Sequence, residues 1–332
     1  MDKATPTPVK VVKVLDQPIL DRFPWPFKSD FHDFSNNSIP LEPPIMLDIT
    51  PEYVEEIKLK RELLDSRKEQ TYRSVSHSFE AQWEILEMTM NEMASIFPDY
   101  FSVVKNGNEW TFQNHILGEE QSFTFGDNST LPYEPLDFIG RHVQADLIYL
   151  AQRDGDLFLD AGQLCFPANW SLNFDFEMDF MSIHFPVPSR FTTTGLAEKI
   201  RNFIMRMEPG KPWTRFNWTV TVEPTLDTSP EAFDEWGVKK DDVTSENAGE
   251  LVYFRVEDQK LFRLPRSNGI LFSIHTHLIR LDELVKNPKW AKQLNNVFIT
   301  VADDIGEYKG FLSYKDKLIA YLESTIEETS SN

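Results

Sequence analysis

The sequence predicts an α+β fold, an antiparallel β-sheet flanked by helices. Two observations predict it. The stretches "FSVVKNGNEWTF", "LIYLAQRDGDLFLDAGQLCF" and "FRLPRSNGILFSI" each set an Asn-Gly or Asp-Gly pair between β-rich runs, the mark of a tight hairpin. Helical stretches then interrupt and follow these hairpins, with "RFNWTVTV" (215–222) as a further strand.

Taken in order, residues 1–50 are Pro-rich ("TPTPVK", "RFPWPF", "LEPP") and read as an extended arm over a body spanning 51–332. "TPEYVEEIKLKRELLDSRKEQTYR" reads as one helix. Thr50 is its expected N-cap, Pro51 takes the first helical position, and acids precede bases along the axis. "SFEAQWEILEMTMNEMASIFPDYF" reads as a second helix, ended by Pro98, with Phe79, Trp83, Leu86 and Met90 as its core stripe. A helix is expected in "TGLAEKIRNFIMRMEPG" (194–210), and two more after the last hairpin. Residues 225–250 are acidic, lack an apolar period and read as a surface insertion.

Composition narrows function. A formal charge of −20 opposes nucleic acid, whose phosphates it repels. No apolar run approaches the roughly 20 residues that span a bilayer, and the N-terminus lacks the apolar core of a signal peptide. Cys165 is the single cysteine. It excludes an intrachain disulfide, favours a cytoplasmic address and leaves too few thiolates for an iron–sulfur cluster. G-x-S-x-G, G-x-G-x-x-G and P-loop patterns are absent, so neither a familiar nucleophile nor a nucleotide cradle is present. His275 and His277 in "HTH" share one face of a strand, a spacing zinc or non-haem iron can use, but no further ligand motif accompanies them.

"WSLNFDFEMDFMSIHFPVPSRF" (170–191) poses a sharper question. As strand or as helix, His184 falls on an apolar face, just ahead of a rigid Pro-Val-Pro. A buried, satisfied core histidine is the plain reading. The alternative is a porphyrin, which needs a broad lining of Phe, Met and Leu and one neutral imidazole. In the last hairpin, a two-residue turn at Asn268-Gly269 sets Glu257 opposite Arg280 and Arg255 opposite Asp282. Such pairs are worth up to about 1 kcal/mol each. Yet Arg255, Glu257 and Gln259 share their face with Tyr253, Leu261, Phe272, Ile274 and Leu278. Charges on an apolar face are paired or serve a ligand.

"PLDFIGRHVQADL", "LCFPANWSL", "IHFPVP", "RFNW" and "RVEDQKLFRLPRSNGILFSIHTHL" occur in one order. Together they resemble the α subunit of the haem-dependent oxidative N-demethylases, over roughly residues 75–320. The resemblance implies a PAS-like fold, with haem b held between an antiparallel sheet and helices. It implies oxidation of dimethylamine to methylamine and formaldehyde by O2. FMN, a 2Fe-2S cluster and NADPH would sit on separate reductase subunits of a hetero-oligomer, in keeping with the single cysteine.

Residue by residue, the resemblance makes His184 the axial iron ligand and Arg215 and Glu257 the polar catalytic residues. Arg255 is assigned to the cofactor. A guanidinium stabilises negative charge developing on O2 in a dry pocket, and Glu257 suits a dimethylammonium cation, with Tyr149, Trp170 and Trp218 as aromatic walls. Two positions depart from the family pattern: His275-Thr276-His277 replaces Arg-Thr-Tyr, and His142 replaces a non-histidine. They supply rival histidines for the iron. The alternative function is a haem-binding PAS gas sensor without turnover, but no kinase, cyclase or DNA-binding segment follows the sheet.

Overall fold

The Asp-Gly signal is the simplest to follow into three dimensions. In the computed structural model Asp154 and Gly155 alone connect two strands, with φ of +53° and +77°, as a type I′ turn requires. The structure describes residues 17–33 and 35–330. The first 16 residues of the Pro-rich arm lie outside them.

The described strands form two antiparallel sheets. In chain order they are β1 (Ile39–Pro40), β2 (Tyr72–Ser74), β3 (Phe101–Asn106), β4 (Glu109–Asn114), β5 (Glu119–Thr124), β6 (Asp146–Arg153), β7 (Asp156–Gln163), β8 (Trp213–Val222), β9 (Val252–Arg263) and β10 (Ile270–Arg280). The large sheet runs β1-β8-β9-β10-β6-β7-β2, and β3-β4-β5 make the small one. The α+β expectation holds. No described helix is long and apolar enough to cross a membrane.

Pleating divides the large sheet between separate cores. Ile148, Leu150, Leu159, Leu261 and Ile274 turn one way, against helices drawn from 172–207. Leu147, Tyr149 and Leu271 turn the other way, towards α1 (Tyr53–Ser66) and α2 (Phe79–Ile96). A third core gathers Trp218, Val220 and Phe254 under the C-terminal helices. The described part of the arm is laid over this core, with Trp25 stacked on Trp290 at 4.7 Å and Ile39 paired with Thr214.

Three local expectations change. The first helix stops at Ser66, and Tyr72–Ser74 instead pairs with β7. Buried Tyr72 draws the chain there, its hydroxyl donating to Glu134 at 2.7 Å. Thr50 does not cap α1 through its side chain; its hydroxyl accepts from Gln144 at 2.7 Å. Residues 225–250 contain short helices, and Trp236, Val243 and Ala248 among them are buried.

The last hairpin corrects the register. Leu264 N–H bonds Gly269 O at 2.9 Å, so the loop is Pro265–Asn268 rather than Asn268-Gly269. Glu257 therefore lies opposite Thr276, and Arg255 opposite Leu278. Arg280 pairs with Asp282 at 2.6 Å, on its own strand's continuation. The cause is tertiary. Buried Glu84 on α2 accepts the Arg266 and Ser267 N–H groups at 2.7 and 2.8 Å, which holds the wider loop. Glu84→Ala should leave both donors without that partner and lower stability by about 1–3 kcal/mol, read as the midpoint of urea unfolding. An unchanged midpoint would assign the loop to Arg263, which bonds Asn268 O at 2.6 Å.

Candidate active site

The ambiguous stretch 170–191 is neither one strand nor one helix. It forms two short helices, Leu172–Asp175 and Phe180–Ile183. Asp179 caps the second, accepting the Met181 and Ser182 N–H groups at 2.9 and 3.0 Å. His184 ends it. Its Nδ1 donates to Phe180 O at 2.7 Å, and its ring lies between Phe180 and Phe191 at 4.3 and 5.1 Å. A carbonyl oxygen only accepts, so the proton sits on Nδ1 and the lone pair on Nε2. Burial lowers the pKa, which favours that neutral form.

His184 lines a cavity of about 290 Å³ between the large sheet and these helices. Ile148, Leu150 and Leu159 form its apolar floor, and Leu196 and Ile200 face them. Part of the lining is polar. Arg215 and Asn217 from β8 and Glu257 and Gln259 from β9 point into the same space. The helix Asp303–Tyr308 adds Tyr308 to this polar lining, and Lys309 follows it.

Arg215 makes no hydrogen bond or ion pair among the described residues, and its buried Nε lacks a partner. Burial lowers its pKa, and Glu257 opposes that shift. Glu257 Oε2 accepts from Asn217 at 3.1 Å and Gln259 at 2.9 Å. Its buried Oε1 has no hydrogen-bond donor, and Arg255 stands 3.5 Å from it. Such unpaired polar atoms around a cavity mark a ligand site.

Trp170 and Trp218 also line the cavity, as expected of aromatic walls. Tyr149 does not; it sits in the core towards α2, against Gly269. Arg255 does not either. It is fully buried behind Glu257, bound to Leu226 O, Phe166 O and Thr276 Oγ1 at 2.7, 2.5 and 3.2 Å. The rival histidines lie elsewhere. His142 is wedged between Phe112 and Phe138, and His275 stacks on His277 at 4.2 Å. No group of three or more His, Cys, Asp or Glu among the described residues is arranged to hold a metal ion. A haem iron asks the chain for only one or two axial ligands.

Residues 39–319 match the family described as haem-dependent oxidative N-demethylase, alpha subunit-like. The chain belongs to this family. Its description names haem-dependent oxidative chemistry and an α subunit, and so an enzyme with further subunits.

The sequence reading missed Lys309. "EYKG" reads as an ordinary helix end, with a basic residue and a glycine at the C-terminus. In space the Lys309 Nζ donates to Asn217 Oδ1 at 2.9 Å and Trp218 O at 2.6 Å.

Two of the rival histidines define an acid response. Burial holds His142 at about 3 and His277 at about 4, against about 6.5 in the unfolded chain. The unfolded chain therefore takes up protons first. These rings stabilise the fold fully above about pH 6.5 and lose that contribution as pH falls through 4 and then 3. His142→Phe should flatten the fall in urea-unfolding free energy between pH 6.5 and 4. Equal slopes in variant and parent would remove His142 from the acid response.

Proposed function

We propose that this chain is the haem-binding oxygenase subunit of an enzyme that N-demethylates a small secondary amine, dimethylamine to methylamine and formaldehyde. It uses O2 and electrons from a separate NADPH-dependent reductase subunit. One observation carries the reading: a neutral imidazole nitrogen and an unpaired guanidinium line the same cavity.

The residues fit haem b. His184 offers Nε2 while a backbone carbonyl fixes Nδ1, the arrangement that orients metal-binding imidazoles. Apolar side chains from sheet and helices suit a macrocycle. When bound, the haem supplies O2 activation and the oxidising equivalents for the N-methyl group. Arg215 stabilises negative charge that develops beside it, in a site that excludes most water. The Glu257 carboxylate accepts an ammonium N–H, and the Trp170 face adds cation–π attraction. Arg255, out of the cavity, fixes the Glu257 carboxylate. An acidic surface, at a formal charge of −20, suits docking of a basic reductase face.

His184→Ala should lose the Soret band after haem reconstitution, whereas His275→Ala and His277→Ala should keep it. Retention of the band by His184→Ala would move the iron to another ligand. Glu257→Gln should weaken dimethylammonium binding, followed as a haem spectral shift, by about 2–5 kcal/mol at unchanged haem content. Arg215→Leu should leave amine affinity nearly intact and weaken azide, an anionic probe, by about 1.5–3 kcal/mol. The reverse pattern would exchange the two assignments.

A further inference from the structure

Lys309 is a cation that the reading above does not use. It lines the same cavity as Glu257 and Arg215. Two of the donors on Nζ are committed, to Asn217 Oδ1 and Trp218 O, and Nζ stands 4.9 Å above the Trp218 ring. The Asn217 amide continues from this ammonium to Glu257 Oε2. Lys309 and Glu257 are therefore not a direct ion pair; one carboxamide spans them. An amine held on the Glu257 carboxylate shares the cavity with Nζ.

We propose that Lys309 takes the ammonium proton of the bound secondary amine and so releases the lone pair on which N-demethylation depends. This inference rests on the amine reading of the site. In the step, an N–H bond of the dialkylammonium breaks and its electron pair stays on the amine nitrogen. An N–H bond forms on Nζ. One positive charge moves from substrate to Lys309, where Asn217 Oδ1, Trp218 O and the indole face already hold it. No oxidant or reductant takes part.

The electrostatics suit this exchange. Burial lowers the Lys309 pKa to about 7, with Glu257 opposing and Arg215 assisting. The same desolvation and the same Arg215 lower the proton affinity of an amine bound alongside, so two similar ammonium groups share one environment. A carboxylate alone would hold the cation in place with its proton on.

Other groups face this space. Glu257 comes from β9 and Arg215 from β8. Tyr308 precedes Lys309, and burial pushes its phenol up to about 12. His184 lines the cavity as well, and His32 and Asp33 come from the arm. Asp175 also lines the cavity, and burial raises it to about 7. It competes in the same pH range, so the test includes it.

The test is calorimetric titration of dimethylammonium into the haem-loaded protein between pH 6 and 8.5, in buffers of different ionisation enthalpy. It counts protons released on binding and needs no turnover. Below pH 7 Lys309 already carries a proton and gives it to solvent before it takes the amine's, so the parent should release close to one proton per amine, falling towards zero above pH 8. Lys309→Met and Lys309→Arg should release none at any pH in the range. Arg keeps the charge and the donors, so it guards against a folding defect. Asp175→Asn should retain the parental release.

Turnover with the reductase should fall by about 100- to 10 000-fold in both Lys309 variants. Proton release that survives in Lys309→Arg, or disappears in Asp175→Asn, would overturn the assignment. A merely structural Lys309 would lower the melting temperature and leave the proton count unchanged. Absence of any amine binding by the parent protein would remove the substrate reading, and this inference with it.

Discussion

The Arg255 guanidinium organises the molecule around the cavity. It has no access to solvent, yet it bonds the carbonyls of Phe166 and Leu226 and the hydroxyl of Thr276. Three chain segments far apart in sequence are thereby held to β9. A buried guanidinium without counter-charge costs several kcal/mol, and Glu257 at 3.5 Å supplies that charge. The ion pair thus fixes the carboxylate at the cavity wall from behind. Replacing either partner leaves the other charged and unpaired, so the fold and the site share one constraint.

The cavity is divided by chemistry. In one part His184 is neutral and packed between Phe180 and Phe191. In another, Arg215 and Lys309 set two cations beside the Glu257 carboxylate within a low-dielectric space. Interactions there are stronger than at the surface, and Arg215 lacks a protein partner that would spend its donors. On the proposed reading, the carboxylate takes the amine cation and the guanidinium is left for developing negative charge. The helix end at Tyr308-Lys309 completes the cavity, which explains why C-terminal residues matter to a site otherwise built from the arm, β6 to β10 and the 170–207 helices.

Much of the site was legible because strand parity survives an error in register. The expected turn at Asn268-Gly269 displaces the β9–β10 pairing by four residues relative to the observed one. Four is even, so every side chain stays on its face. Arg255, Glu257, Gln259, Leu261, Phe272 and Ile274 do share a face, and Glu257 and Gln259 do meet a cavity. What failed was the identity of the opposite residue, because Glu84 on a distant helix holds the loop open. The surface ion pair Glu257–Arg280 does not exist.

The sequence by itself determined seven of the ten described strands (β3, β4 and β6 to β10), the Asp-Gly hairpin, the longer helices and the apolar setting of His184. Each follows from contacts between residues a few positions apart. Tertiary structure alone decided which polar groups meet. His142, His275, His277 and His184 all fall in apolar sequence, and only packing sends one of them to the cavity wall with a free Nε2. Tyr149 turned away because alternate residues of β6 serve different cores. Lys309 entered because the helix before it packs against β8, some 90 residues earlier, and a contact at that separation leaves no periodic trace in the sequence.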